Sequence, residues 1–159
     1  MFSCLLAYQG YRHWHADVRP DDTPLEVGLG FTCKLKTATP FLGREAVEAM
    51  QKAEGGVKKK LVTFTLDAPV PLWGLEGLWR DGQPMGYIRR AEYGHYLKKG
   101  IGYGYVTPPE GQKVNKAFLG SGHWEVESMG RRLDVTPHSA HPFDPKNLRV
   151  RGLYDQLQE

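Results

Sequence analysis

Four segments rich in β-branched and aromatic residues decide the fold: KKLVTFTLDA (59–68), EGLWRDGQPMGYIRRAEYG (76–94), GIGYGYVTPPEG (100–111) and HWEVESMGRRLDVTP (123–137). The pairs Asp81-Gly82 and Met129-Gly130 are typical of the tips of hairpins. Polar and apolar side chains alternate over residues 62–67, which is the pattern of a half-buried strand. Five or more such strands predict a small antiparallel barrel or sandwich.

The glycines of GIGYGYV alternate with larger residues inside a strand-like run. We interpret them as places where neighbouring backbone or side chains approach closely. The whole chain holds nineteen glycines and eleven prolines. This content favours many turns and short strands over long helices.

Residues 11–35, YRHWHADVRPDDTPLEVGLGFTCKL, lie upstream of the strands and combine aromatic, histidine and acidic side chains. Residues 11–18 alternate loosely as in a strand. The polar residues at 21–23 precede a proline, so they predict an N-cap and one helical turn in PLEVGL. Residues 31–35 are predicted to form a short strand. Such a density of polar and aromatic groups suggests a segment that faces a ligand.

Residues 39–56, TPFLGREAVEAMQKAEGG, predict a helix that Thr39 caps, that has Pro40 at its first position, and that Gly55-Gly56 ends. Its apolar positions recur at helical spacing. They are Leu42, Ala46, Ala49, Met50 and Ala53. Because the character of the chain changes here, we predict a domain boundary near residues 54–57. Residues 1–56 would form one part, 57–150 a β-barrel domain and 151–159 a tail.

The composition of the 159-residue chain is that of an ordinary globular domain, or of a small domain plus part of another. A net charge of +3 is mild, and aromatic residues are not interleaved with the basic runs, so no nucleic acid is expected as a partner. The runs at 58–60, 89–90 and 98–99 are predicted to be solvated. No apolar run reaches the length of a membrane span, so no membrane contact is expected. Two cysteines predict no disulfide framework.

His13 and His15 form an HxH pair that, on a strand, would place both rings on one face, with Asp17 as a candidate third metal ligand. No cysteine pair or HExxH pattern supports such a site. We therefore favour a hydrogen-bonded core or pocket edge and predict no metal. GxSxG, a P-loop and a complete GxGxxG after a strand are also absent from the sequence, and no nucleophile–base pair is evident.

Glu26 is the sharpest candidate for a binding residue. It lies between Leu25 and Val27 in the predicted turn, and a carboxylate held among apolar groups requires partners. One alternative is an internal arginine or lysine. The other is a ligand that presents two adjacent N–H donors, which a carboxylate accepts as a bidentate pair. The residues alone leave both alternatives open.

The stretch from Gly10 to Leu35, followed by FLGREAVEAM (41–50) and a basic run into LVTF (61–64), resembles the glycine-cleavage T-protein (aminomethyltransferase) family. Within it, YRHWHAD, RRAEYG and FDPKNLRVRG most resemble the folate-binding C-terminal region of the sarcosine dehydrogenases. The resemblance implies an α+β fold class: the end of a T-protein-like folate-binding α+β domain, followed by a small antiparallel C-terminal β-barrel.

The resemblance also implies a function. A flavin (FAD) domain upstream would oxidise the N-methyl group of sarcosine to release glycine, and tetrahydrofolate, including polyglutamylated folate, would accept the one-carbon unit. By the same match, Glu26 would bind the pterin ring and Lys59 would stand where relatives have an arginine near folate. Tyr11 and Trp14 would line the pocket. This chain would have no catalytic residue of its own.

The acidic residue that family members place near the reacting folate nitrogen has no counterpart here, and neither does the flavin domain. We therefore expect a truncated chain, inactive by itself, which belongs with an upstream flavin domain. A mitochondrial matrix location is implied by the resemblance, with the cytoplasm as the alternative. Two other functions stay open: a non-catalytic module like the regulatory subunit of pyruvate dehydrogenase phosphatase, and a fragment of an aminomethyltransferase.

Overall fold

A computed structural model describes residues 10–53, 56–68 and 70–156 of the chain. Its main feature is one seven-stranded antiparallel sheet in the order β6-β5-β2-β3-β4-β1-β7. The strands are β1 Lys60–Leu66, β2 Gly77–Arg80, β3 Gln83–Gly94, β4 Lys99–Val106, β5 Trp124–Ser128, β6 Arg131–Asp134 and β7 Thr136–His138. Only Val135 separates β6 from β7, the two edges of the sheet. The sheet must therefore curl back on itself, which confirms the predicted barrel-like strand region.

Two hairpins have the tips that the sequence predicted. Asp81 and Gly82 join β2 to β3 with φ values of 51° and 75°, and Met129 and Gly130 join β5 to β6 with 50° and 71°. Positive φ at both central residues is the conformation of a two-residue type I′ turn, whose twist matches that of the flanking strands. These turns fix the register of both hairpins.

The interior of the curled sheet is an apolar core, and the outer face of β1 and β4 is covered as well. Most of the core residues come from strands β1 to β5 and from the short helix α2, Lys116–Leu119. They include Val62, Phe64, Leu66, Leu78, Ile88, Val106, Phe118, Trp124 and Val126. A second cluster on the outer face joins Leu61, Tyr103 and Tyr105 to Val18 and Val27 of the N-terminal segment. The prediction of a half-buried strand was wrong, because the outward-facing Thr63 and Thr65 are only 4% and 5% exposed, and the Thr65 hydroxyl lies 2.8 Å from His138 Nε2 of β7.

The glycines of β4 confirm that neighbouring groups approach closely. A Cβ on Gly104 would lie 2.5 Å from Leu78 Cδ1 and 2.9 Å from the Tyr87 carbonyl oxygen. A Cβ on Gly102 would lie 3.0 Å from Ile88 Cδ1. Larger residues at these positions would push β3 away from β4.

Helix α1 spans Arg44–Lys52, so the predicted helix begins later than Thr39 and Pro40. The reason is that the Arg44 guanidinium donates to the carbonyls of Leu35, Thr37 and Thr39 at 2.7–3.0 Å, which holds the preceding residues in a loop. Gly43, at φ 81°, starts the helix. The helix also ends at Lys52, with Ala53 as its C-cap, and so before the predicted end at Gly55-Gly56; Gly56 has a φ of 69°, and Gly55 lies outside the described residues.

The predicted apolar face of α1 does not face the core. Val47 is the buried residue of this helix, whereas Leu42 is fully exposed and Ala46 and Ala49 are exposed too. The helix therefore packs against the rest of the described structure through a narrow face around Val47.

Two predicted strands upstream are turns instead. Residues 30–32 form a 3₁₀ turn. In residues 11–18, the amides of Asp17 and Val18 both donate to the His13 carbonyl, and His15 has a φ of 70°. The predicted helical turn is confirmed, because the Val27 amide donates to the Thr23 carbonyl at 3.1 Å. The tail also contains a 3₁₀ turn, Tyr154–Gln156.

Among the described residues, no helix combines the length and the apolar character needed to cross a bilayer. The domain boundary near residues 54–57 stays a prediction.

Candidate functional site

Glu26 lies on the outer face of the sheet, in the turn that docks against the start of β1. Its carboxylate atom Oε2 accepts hydrogen bonds from the Thr23 amide at 2.9 Å and the Thr23 hydroxyl at 2.8 Å. Its backbone carbonyl accepts from the Leu61 amide at 2.8 Å. The residue is 8% exposed. The turn therefore positions Glu26 rigidly against β1.

The partner of Glu26 is thus Thr23, and the alternative of an internal arginine or lysine was wrong. This is a capping box, in which a threonine and a glutamate three residues later satisfy each other's backbone groups. The Thr-x-x-Glu spacing of residues 23–26 was the sequence signal that could have revealed it. Among the described residues, no group donates to the other oxygen, Oε1. That oxygen is the one available to a ligand.

Lys59 forms an ion pair with Asp22, which belongs to the same N-terminal segment as Glu26. Its ammonium group donates to Asp22 Oδ1 and lies 4.7 Å from the centre of the Tyr105 ring. The other Asp22 oxygen accepts from the Arg19 amide at 2.8 Å. Although burial favours the protonated acid, the hydrogen bonds from Lys59 and Arg19 lower the pKa of Asp22 to about 2. The carboxylate is therefore charged at neutral pH and holds Lys59.

Tyr105 lies between Lys59 and Asp17 and contacts both. Its hydroxyl donates to the Asp17 carbonyl at 3.1 Å. Burial and the neighbouring Asp22 carboxylate both raise the pKa of Tyr105, so the phenol stays protonated. It acts as a hydrogen-bond donor here and supplies no charge.

Asp17 and Arg90 form a buried ion pair. Arg90 Nε and Nη2 lie 2.9 and 2.6 Å from the two carboxylate oxygens, and the His13 amide adds a bond of 2.8 Å. The Asp17 carboxylate is thus occupied by Arg90, and the HxH pair lies in a turn rather than on a strand. This arrangement agrees with the interpretation of the segment as a hydrogen-bonded pocket edge.

The basic runs at 58–60 and 89–90 are less solvated than predicted, whereas the run at 98–99 is exposed as predicted, with the Lys99 side chain 44% exposed. The Arg90 side chain is 10% exposed and the Lys59 side chain 23%. Arg89 donates to the His15 carbonyl at 2.9 Å, and Lys60 to the Val114 carbonyl at 3.2 Å. For the first two runs the prediction was wrong, because a run of like charges gives no sign of partners that lie far along the chain.

Tyr103 forms the floor beneath two guanidinium groups. Those of Arg12 and Arg90 lie 4.9 and 5.3 Å from its ring centre. Arg12 also donates to the Val27 carbonyl at 3.1 Å. Burial raises the pKa of Tyr103, so its ring stays neutral under the two cations.

The four predicted binding residues lie on one segment and its supporting strand, in two groups. Glu26 and Lys59 lie at the Tyr105 end. Tyr11 and Trp14 lie at the Arg90 end, 51% and 56% exposed, where the Tyr11 carbonyl accepts from Arg90 at 3.4 Å. The surface that carries the four residues is open at the Tyr11 and Trp14 end.

Two cavities lie away from this surface. One of about 590 Å³ is lined by residues of β3 and β4 and the loop after β1, including Trp73 and Tyr93. The other, of about 460 Å³, is lined by Tyr96, by residues between 142 and 149 that include Phe143, and by Gln156 of the tail. Neither is lined by Glu26 or Lys59.

Residues 59–144 match the model of the glycine cleavage T-protein C-terminal barrel domain. The chain is 51% identical over 146 residues to human mitochondrial sarcosine dehydrogenase, covering 92% of this chain and 16% of that protein. It is also 31% identical over 136 residues to the mouse mitochondrial pyruvate dehydrogenase phosphatase regulatory subunit, covering 79% of this chain and 15% of that protein. The chain therefore spans a small part of the length of these curated relatives.

The fold has a counterpart among solved structures. The aminomethyltransferase T of the glycine cleavage system from Bartonella henselae superposes with a TM-score of 0.68 at 20% identity. The match covers 86% of this chain and 36% of that one. At this identity the likeness concerns the fold alone.

Proposed function

Because the chain belongs to the glycine cleavage T-protein C-terminal barrel family, we propose that it is the C-terminal part of a sarcosine dehydrogenase-like enzyme and binds tetrahydrofolate. The observation that carries this proposal is the identity of 51% to human sarcosine dehydrogenase, which extends over 92% of the chain. It includes the N-terminal segment as well as the barrel. In the whole enzyme, an FAD domain would oxidise the N-methyl group of sarcosine, and the bound folate would take the one-carbon unit. The matrix of the mitochondrion would be its location.

Glu26 would hold the pterin ring through Oε1, the oxygen that the capping box leaves open. A pterin presents an amino group beside a ring N–H, and Oε1 would accept charge-assisted hydrogen bonds from these donors. Oε2 already accepts two hydrogen bonds from Thr23, so the rigid turn would fix the direction in which Oε1 points. Pre-organisation of this kind lowers the entropy cost of binding.

Lys59 would attract folate through its positive charge. Its ammonium, which Asp22 holds in place, cannot form the planar pair of parallel hydrogen bonds that an arginine would form. Tyr11 and Trp14, both half exposed, would offer ring faces at the other end of the surface. The opposite wall of the site would come from the upstream domain.

Calorimetric titration of 5-formyltetrahydrofolate, an air-stable reduced folate, into the longest natural form of the protein tests the role of Glu26. Glu26→Gln keeps an oxygen for the capping box but replaces Oε1 with an NH₂ group, which would face the N–H donors of the pterin. The expected loss is about 2–4 kcal/mol of binding free energy, typical of breaking a buried charge-assisted pair. Glu45→Gln, on the exposed first turn of α1, is the control and should bind normally. Unchanged affinity in Glu26→Gln would refute the assignment.

A second candidate function is a non-catalytic regulatory module, which the 31% identity to the pyruvate dehydrogenase phosphatase regulatory subunit favours. The genomic sequence upstream of Met1 discriminates between the two. A flavin-binding GxGxxG and a histidine-bearing attachment segment would favour the enzyme. Methyl oxidation of sarcosine by the purified protein with bound FAD would exclude the regulatory role.

A further inference from the structure

We propose that the β5–β6 hairpin carries a surface binding site for a divalent transition metal of the Zn²⁺ class, formed by His123, Glu125 and Asp134. Each residue offers one ligand atom, and these atoms all lie within 4.8 Å of one another. The site lies on the hairpin closed by Met129-Gly130, and it involves none of the residues proposed to bind folate.

The register of the sheet brings the three side chains together. Glu125 of β5 pairs directly with Asp134 of β6, so the two carboxylates share one face of the hairpin. His123 lies two residues before Glu125, and side chains at i and i+2 of an extended chain point to the same face. Its ring nitrogens lie 3.0 Å from Asp134 Oδ1 and 4.0 Å from Glu125 Oε2.

The backbone of His123 is held in place from a neighbouring hairpin. Its amide donates to Asp81 Oδ1 at 2.8 Å, and its carbonyl accepts from the Asp81 amide at 2.9 Å. The imidazole therefore projects from a fixed point. The side chains of His123 and Asp134 are 60% and 86% exposed, so both have room to rotate towards the 2.0–2.2 Å distances of zinc coordination.

The charges at this position favour a cation. Two carboxylates directly opposite each other on an antiparallel pair repel and destabilise the hairpin. The Arg132 guanidinium lies 3.7 Å from Glu125 Oε2, and it is stacked on the Trp79 ring at 3.7 Å from the ring centre. At that distance it compensates Glu125 only partly, and it shares its charge with Glu127. A divalent ion between His123 and both carboxylates would remove the remaining repulsion.

The mixed ligand set indicates the class of metal. One imidazole and two carboxylates suit Zn²⁺ and other late divalent transition metals, whereas Mg²⁺ and Ca²⁺ prefer oxygen ligands only. Three protein ligands leave at least one position for water.

Calorimetric titration of ZnCl₂ into the protein, with backbone amide NMR shifts as a local readout, tests this site. We expect saturable binding with shifts at His123, Glu125 and Asp134, and about a tenfold or greater loss of affinity in His123→Ala and Asp134→Asn. Mg²⁺ should not compete. Asp67→Asn, which changes an exposed aspartate paired with Lys99 elsewhere, should bind zinc normally.

Arg132→Gln is the most discriminating variant. Removal of its positive charge should strengthen zinc binding several-fold, because the guanidinium competes with the metal for Glu125. A mere surface ion pair would instead show weak zinc binding that none of these substitutions alters. Absent binding, or affinity unchanged in both Asp134→Asn and Arg132→Gln, would overturn the proposal. Melting curves recorded with EDTA establish that each variant is folded.

Discussion

Arg90 of β3 donates two hydrogen bonds, of 2.9 and 2.6 Å, to the carboxylate of Asp17 in the N-terminal segment, 73 residues away in the sequence. The Asp17 side chain is fully buried and that of Arg90 is 10% exposed. This contact, together with the bond from Leu61 to Glu26, attaches the segment to the outer face of the sheet. The candidate ligand surface exists only when this attachment is made.

Asp17→Asn should lower the free energy of unfolding by about 3–5 kcal/mol, because it leaves a buried guanidinium without its charge partner. Urea unfolding measures the change. Asp21→Asn is the matched control, since Asp21 forms an exposed pair with Arg19 at 3.6 Å and should cost at most about 1 kcal/mol. Equal losses in the two variants would contradict the role of the buried pair.

The Asp22–Lys59 pair should make stability depend on pH in the acid range. The pKa of Asp22 in the folded chain is about 2, below its ordinary value of 3.8. The stabilisation is therefore present above about pH 4 and is lost as pH falls towards 2. With allowance for solvent around Lys59, it amounts to on the order of 1–2 kcal/mol.

Unfolding of the natural protein and Asp22→Asn, compared between pH 2 and 7, measures this contribution. Their difference in unfolding free energy should be constant above about pH 4 and shrink below it. A difference independent of pH across this range would show that the pair does not stabilise the charged form.

Glu26 should contribute to stability separately from any ligand. Glu26→Ala removes both hydrogen bonds that Thr23 donates to Glu26 Oε2 and should lower the free energy of unfolding by about 0.5–2 kcal/mol. Glu26→Gln should be close to the natural protein, because glutamine also serves at this position of a capping box. Thermal unfolding without folate provides the comparison. If both variants lose the same stability, the negative charge of Glu26 stabilises the turn, and its role as a capping residue does not.

Helix α1 provides a test of which apolar residues fold the chain. Val47→Ala should cost about 1–3 kcal/mol, since Val47 is 8% exposed and its truncation leaves a void. Leu42→Ser should change stability by no more than about 0.5 kcal/mol, because Leu42 is fully exposed. Chemical denaturation of both variants measures the contrast. A larger loss for Leu42→Ser would mean that the predicted apolar stripe does pack inside.

The strand region was predictable because its signals are local. The β-branched and aromatic run of β1, the two type I′ turns and the close-packed glycines of β4 each depend on a few adjacent residues. The upstream segment was predicted less well. Its strands proved to be turns, since bonds such as that from Arg44 to Leu35 override local propensity.

In the candidate site, too, contacts between neighbouring residues were predictable and contacts between distant residues were not. Glu26 could be singled out from its neighbours, and its partner Thr23 is three residues away. The partners of Asp17 and Lys59 could not be predicted, because Arg90 and Asp22 are 73 and 37 residues distant.

The sequence by itself therefore determined the strands, their hairpin turns and the family to which the chain belongs. Only the tertiary structure decided that the outer face of β1 and β4 is covered, and that Glu26 turns one oxygen inward to Thr23 and leaves the other open. The physical reason is the separation along the sequence of the residues that interact. Periodicity and turn conformation arise between neighbouring residues, whereas buried ion pairs and docked segments require the folded sheet to bring distant residues together.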